Sequence, residues 1–315
     1  MSHIPLELVE EILYRVPVTS LIRLRTTCKG WNALLKDRGF IEKKLRKAPK
    51  QSLVLMLKEF RTCSMSNNLN IADPSIEFKV PLERDNIFQL FQCGGLLLFT
   101  TNNNRLVSPF RFVLGYENNN FSLSYKILRC YQQNYEFVGL QIYDFSSDSW
   151  RVLLDVIALD CLIASKGVSL KGNAYWLAYD KTGYSDFLIS FDFTRERFKR
   201  LCLPEFQNLG WMALSVERDE KISVLHRSKG TLKMDIWMTN KVDTEAALWS
   251  LYFTVDIPTH HDDYISYLPT SFLIDEEKKL AVCCNAKYPL VEATQVSSLP
   301  SIIFSYVPSL VQIQQ

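Results

Sequence analysis

The first forty-five residues constrain the fold most, because they carry more apolar positions than so short a segment can bury by itself. Leu6, Val9 and Leu13 fall on one stripe of a helix, and Leu8 and Ile12 fall on the adjoining stripe, so the apolar face is unusually broad. Pro5 suits the first turn, where its fixed φ is already helical and its missing N–H costs nothing. Pro17 ends this helix and opens another, since the residue before a proline is pushed out of the α region. Thr19-Ser20 offers a cap, Leu21 and Leu24 continue an i,i+3 seam, and Trp31 with Leu34-Leu35 marks a third helix. Lys43-Lys44, Lys47 and Pro49-Lys50 predict a solvated exit. Three helices of this size are marginal alone, so the surplus apolar surface predicts a partner protein.

Charge separates this head from the rest. Residues 1–50 hold eleven Lys/Arg against five Asp/Glu, a balance of +6, and the other 265 residues hold twenty-five against twenty-nine, a balance of −4. Such a split suits an acidic protein surface or nucleic acid. Glu7, Glu10 and Glu11 on the first helix argue against nucleic acid, which is the alternative reading of a basic head. No apolar run approaches the ~18 residues of a membrane-spanning helix, and the start has acids where a secretory signal would be continuously apolar. The eight cysteines are scattered, several in apolar strings such as Leu201-Cys202-Leu203, and read as buried free thiols of a reducing compartment, cytoplasm or nucleus. The Asn120-Phe121-Ser122 sequon is then expected to stay unglycosylated.

Beyond residue 50 the helical period fades. Short runs of Val, Ile, Leu, Phe, Tyr and Trp alternate with Gly, Asn, Asp and Lys clusters from about 85 onward, the signal of many short antiparallel strands. Asp144-Phe145 precedes Trp150, Asp192-Phe193 precedes Phe198, and Ile236-Trp237-Met238 precedes Trp249. From Trp150 to Phe198 to Trp249 the spacings are 48 and 51 residues, the length of a propeller blade. One such sheet cannot cover both of its faces, so several must stack. Trp150, Trp176, Phe198, Trp237 and Trp249 are accordingly expected as core filling.

These strings resemble two known modules. Ile4 to Phe40, with Ile4-Pro5, Leu8, Ile12-Leu13, Val16-Pro17, Leu21, Leu24, Cys28-Lys29 and Trp31, resembles an F-box, the helical module that docks onto the Skp-type adaptor of cullin-based ubiquitin ligases. Cys93 to Leu98, Leu114-Gly115-Tyr116, Tyr125 to Leu128, Ile142 to Trp150, Gly167 to Ala178 and Asp275 to Val282 resemble the plant F-box-associated domain. The resemblance implies a multidomain α plus all-β chain: a three-helix F-box at 1–45, a linker and lead-in at 46–84, and a propeller-like antiparallel β-domain at 85–315. It further implies a non-enzymatic substrate receptor, with Pro5, Leu8, Ile12, Pro17, Leu21, Leu24 and Trp31 on the adaptor surface and Val9, Leu13 and Leu34 holding the helices together. Tyr131, Tyr135, Trp211 and Tyr264, in connecting loops, are the expected target contacts. The family usually has an Asn-Pro turn and a Trp-containing strand between its Gly-Leu-Leu-Leu and Leu-Gly-Tyr strands. Residues 104–113 bridge that interval directly here, so one blade is expected to be incomplete, with an open seam over residues 96–116.

No catalytic motif stands out. There is no Gly-x-Gly-x-x-Gly, P-loop, Gly-x-Ser-x-Gly or Cys-x-x-Cys, and no carboxylate pair reads as an acid/base couple. His260-His261-Asp262-Asp263 with Cys283-Cys284 could offer at most one ligand from each adjacent extended pair, so no metal and no cofactor is expected. Neither membrane nor nucleic acid is an expected partner. A carbohydrate-binding or oxidase-like propeller would need clustered exposed aromatics or metal ligands, which the sequence lacks.

Overall fold

A computed structural model gives the fold and describes residues 5–47, 53–58, 61–65, 78–79, 87–101, 110–119, 122–133, 136–153, 161–182, 185–206, 210–217, 221–228, 231, 233–243, 245–256, 269–275, 280–285 and 302–306. The head has four helices where the sequence predicts three: α1 Leu6–Arg15, α2 Val18–Leu24, α3 Lys29–Leu34 and α4 Arg38–Lys47. Pro5 and Pro17 cap α1 and α2, so each helix starts one residue past its proline, and Thr19 and Ser20 lie inside α2 rather than capping it. The Cys28 Sγ accepts the Trp31 N–H at 3.4 Å to cap α3. The Asp37 carboxylate accepts the Phe40 N–H at 2.8 Å, opening α4. Leu13, Tyr14, Leu21, Leu35, Phe40 and Ile41 make the core, with the Tyr14 and Phe40 rings stacked 5.0 Å apart.

Helix α4 replaces the expected solvated exit because two of its residues serve the fold. Phe40 fills the core, and the buried Lys44 ammonium donates to the carbonyls of Leu13 (3.4 Å), Tyr14 (2.7 Å) and Val16 (2.5 Å). The Leu13 carbonyl already accepts the Val16 N–H at 3.2 Å, while those of Tyr14 and Val16 lie past the last helical bond, and a cation there also meets the negative pole of the helix. Burial pushes the Lys44 pKa down.

The strands begin inside the segment expected as a linker. β1 Leu53–Lys58, β2 Arg61–Met65 and β3 Phe78–Lys79 form a sheet. β4 Ile87–Cys93 and β5 Leu96–Thr101 pair only with each other among the described residues. β6 Phe110–Asn119, β7 Ser122–Gln133, β8 Glu136–Asp144 and β9 Ser149–Val152 follow as a four-stranded meander. Next come β10 Cys161–Ile163, β11 Val168–Leu170, β12 Asn173–Asp180, β13 Asp186–Asp192 and β14 Arg197–Leu201, with β10 and β11 both on the same side of β12. β15 Gly210–Glu217, β16 Lys221–Ser228, β17 Lys233–Val242 and β18 Ala247–Asp256 form another meander, and β19 Pro269–Asp275 pairs with β20 Leu280–Asn285. The last strand, β21 Ile302–Tyr306, returns to pair antiparallel with β1. The sequon residues Asn120-Phe121 and the His260–Asp263 string lie outside the described residues.

The sheets stack in chain order through apolar faces. Alternation on β12 sends Trp176 toward Val113, Leu128 and Ile142 of β6–β8, and Tyr175 and Leu177 toward Leu214, Ile222 and Val224 of β15 and β16. Both faces of that sheet are therefore dry. Three hairpin turns are closed by an aspartate: Asp144 accepts from Ser146 N (2.8 Å), Asp192 from Thr194 N (2.8 Å), and Asp243 from Glu245 N (2.8 Å). Of the cysteines, Cys93, Cys130 and Cys161 are buried, whereas Cys202 is exposed because it follows the last residue of β14.

Two contacts lock β6–β9 onto the next sheet. The Tyr116 N–H donates to the Gly172 carbonyl at 3.0 Å, and the Ser169 hydroxyl donates to the Leu114 carbonyl. Gly115 permits this approach: a Cβ there would meet the Phe193 ring and the Gly172 carbonyl. Lys126 is buried among Glu117 (2.7 Å), Glu196 (3.1 Å) and Asp144 (3.9 Å), with Glu196 contributed by the neighbouring sheet's turn. Burial alone would lower the Lys126 pKa, but the hydrogen bonds to Glu117 and Glu196 reverse this and raise it. Burial pushes Asp144 up; its bonds to Ser146 and the nearby Lys126 charge more than offset that and hold it below the usual range.

Gly115→Ala should cost about 2 kcal/mol by overpacking, read as a lower urea midpoint of the full chain. The raised Lys126 contributes stability that is lost as pH rises through its folded pKa, and the lowered Asp144 contributes stability that is lost as pH falls through its own. Lys126→Met should therefore cost about 3 kcal/mol at neutral pH, and the deficit should shrink in acid, where the stranded carboxylates protonate.

Candidate adaptor-docking face

Helix α1 buries residues fully only in its C-terminal half, with Val9 half-buried ahead of them. Leu13 and Tyr14 are its buried residues, while Leu6, Leu8 and Ile12 stand 59%, 57% and 54% exposed, joined by Ile22 of α2 at 46%. Four large aliphatic side chains on a head of this size are thus left in solvent with no polar duty. Its acids are already engaged: Glu10 accepts from the Tyr14 hydroxyl (3.0 Å) and meets Lys43 (3.8 Å), and Glu11 meets Arg15 (3.2 Å). Burial, then the bond to Glu10, pushes the Tyr14 pKa up to about 12. Arg25 reaches across to the Leu35 carbonyl at 2.9 Å and ties α2 to the end of α3.

The residues expected on the adaptor surface divide into three groups. Pro5, Leu8, Ile12 and Pro17 are exposed. Leu24 and Trp31 are half-buried against the helical core, as are Val9 and Leu34. Leu21 is a correction: at 0% exposure it is part of the core, because a residue one position along a helix turns by about 100° and Ile22 takes the outward place. Leu6 and Ile22 went unrecognised as surface residues. Leu6 shares a stripe with Val9 and Leu13, and only the packing of α4 against the far half of α1 shows that the stripe is covered at one end.

The expected target contacts are not brought into one site. Tyr131 lies on β7 with its ring 5.5 Å from Phe110, and Trp211 opens β15 in a different sheet; both are exposed. Tyr135 and Tyr264 lie outside the described residues. No group of three or more His, Cys, Asp or Glu able to hold a metal ion occurs among the described residues.

Leu21→Asp buries an unpaired carboxylate and should unfold the head, seen as lost amide-exchange protection in α1 and α4 of the full chain. Leu8→Asp should leave that protection unchanged.

Two family descriptions match this chain: an F-box domain over residues 1–43 and an F-box associated beta propeller domain over 53–108 and 108–313. A provisionally named F-box/kelch-repeat protein of Arabidopsis thaliana, At3g22730, is 49% identical, covering 100% of this chain and 98% of the relative. F-box protein At3g22700 of the same plant is 47% identical, covering 91% and 94%. The first comparison runs over 368 positions against the 315 residues of this chain, a surplus of at least 53 in the relative. The solved structure of YjhT aligns with a TM-score of 0.29 at 12% identity, covering 63% of this chain and 60% of that one, a likeness too slight to use. Near-half identity sustained from the helical head through the sheets makes this chain a member of the F-box family whose head is followed by an F-box associated domain.

Proposed function

We propose that this protein is the substrate-recognition subunit of a cullin-based, SCF-type ubiquitin ligase, held by its helical head and recruiting a target protein through its β-sheets. The supporting observation is that Leu6, Leu8, Ile12 and Ile22 are left exposed on helices whose buried side chains already fill a core of their own. Burying these side chains against a Skp-type adaptor would gain on the order of 1.5–3 kcal/mol each. Pro5 and Pro17 are exposed as well, while the half-buried Leu24 and Trp31 pack on the helical core. Eleven basic residues in the first fifty favour an acidic adaptor surface and steer its approach.

We read the stacked sheets as propeller blades, with β1 and β21 joining first and last strands in one sheet. In this reading the chain carries no catalysis. It raises the local concentration of the target at the ligase, and the chemistry lies in its partners. Free thiols throughout the described cysteines suit the reducing cytoplasm or nucleus where such ligases would work.

Co-purification tests this. The full chain should retain a Skp-type adaptor, and Leu8→Asp should weaken capture at least a hundredfold, since a carboxylate would be buried without a partner. Undiminished capture by the Leu8→Asp chain overturns the assignment.

A further inference from the structure

The seam beside β5 lacks the cover that its counterparts have. On β14 the Phe198 ring sits 4.7 Å from Phe191 and 6.0 Å from Trp176 in a shared core, and on β18 the Trp249 Nε1–H donates to the Cys202 carbonyl of the preceding sheet at 2.9 Å. Trp150 holds the matching place on β9, yet it is 41% exposed and Val152 beside it 55%. Only the inner part of this face is covered, where Cys93, Leu96 and Leu98 pack on Leu114 and Ile127. Farther out, Arg129 lies 4.3 Å from the Trp150 ring and bonds to Gln141, which makes a firm floor beneath an exposed Trp150. The roof ends at β5, which has no second neighbour among the described residues.

Buried polar atoms mark the same place. The Gln89 side chain is nine-tenths buried; its Nε2 donates to the Phe110 carbonyl at 3.4 Å, but its Oε1 has no partner. Thr100, directly opposite on β5, has a buried Oγ1 that is also without a partner. Such atoms carry a desolvation penalty of about 1–3 kcal/mol each until a donor arrives. The two pieces of the family match meet at residue 108, in the connection from β5 to β6. The gap therefore lies beside the point where the family match breaks.

We propose that the target polypeptide fills this gap as an added β-strand, pairing with the open edge of Leu96–Thr101 and laying its side chains on Trp150 and Val152. This deepens the receptor reading and rests on it. Strand geometry is the chemistry that fits, because the adjoining meander β6–β9 has four strands where β4 and β5, among the described residues, pair only with each other. The segment would be extended, with a β-branched or aromatic residue for Trp150 and a hydroxyl or N–H for Thr100, and with no proline facing β5.

The probe is a synthetic peptide of about ten residues, the length of a long strand, copied from At3g22730 where it faces the break at residue 108. Added to the full chain bound to a Skp-type adaptor, it should saturate a tryptophan fluorescence change and slow amide exchange at Leu96–Thr101. Val152→Glu, placed at an exposed position, should weaken binding at least tenfold without moving the thermal midpoint, and Trp150→Ala should do likewise. Equal binding by the variants, equal binding of a scrambled peptide, or protection elsewhere overturns the proposal. So does a dimer that Val152→Glu dissociates, because a second copy would then be the occupant. The Leu8→Asp chain should bind the peptide as the unaltered chain does while losing the adaptor, so failure at the seam and failure at the head are read separately.

Discussion

A β-sheet that is apolar on both faces cannot exist alone in water, and that constraint organises everything after the helical head. β12 shows it most plainly: Trp176 and Tyr175 point in opposite directions and both are buried, so the sheet must lie between two others. Polar fixtures tie the stacked layers together. Gly115 lets one backbone touch the next, and Lys126 gathers carboxylates from two layers into one partly dry cluster. The aspartate-closed turns make their hairpins self-sufficient, which leaves the interlayer contacts to decide the stacking.

The head obeys a different logic. Its core is small but complete, closed by Phe40 below and by Lys44 over the end of α1. What remains is a set of exposed aliphatic side chains with no internal use. A fold this small keeps them at the risk of aggregation, so their persistence argues for a standing partner. Head and sheets thus present two unlike features, exposed aliphatics on one and a seam between layers on the other.

Much of this was legible in the residues. The 48- and 51-residue spacing marked the repeating hairpins, and each of the three aromatics does lie on a paired strand, near its start rather than its end. The break in the pattern after Leu98 marked the two-stranded sheet. Three things were not legible, each for a physical reason. Of the strands before residue 80, β1 pairs with a segment over two hundred residues away, which local composition cannot report. Lys44 looks like a solvated cation because nothing nearby in sequence shows that the end of α1 needs donors. Leu21 and Ile22 are adjacent aliphatics on a seven-residue helix, too short for its period to say which faces inward.

The pairing of β1 with β21 carries a temporal cost. Leu53 leaves the ribosome roughly 250 residues before its partner Tyr306, a wait of about ten to fifty seconds at ordinary elongation rates. During that interval the helical module can complete itself and engage the ligase, whereas an unpaired strand of Leu53-Val54-Leu55-Met56-Leu57 stays without its final neighbour. Newborn chains would thus pass through a stage at which they can be tethered but are unfinished, with chaperones as the natural guardians of that edge.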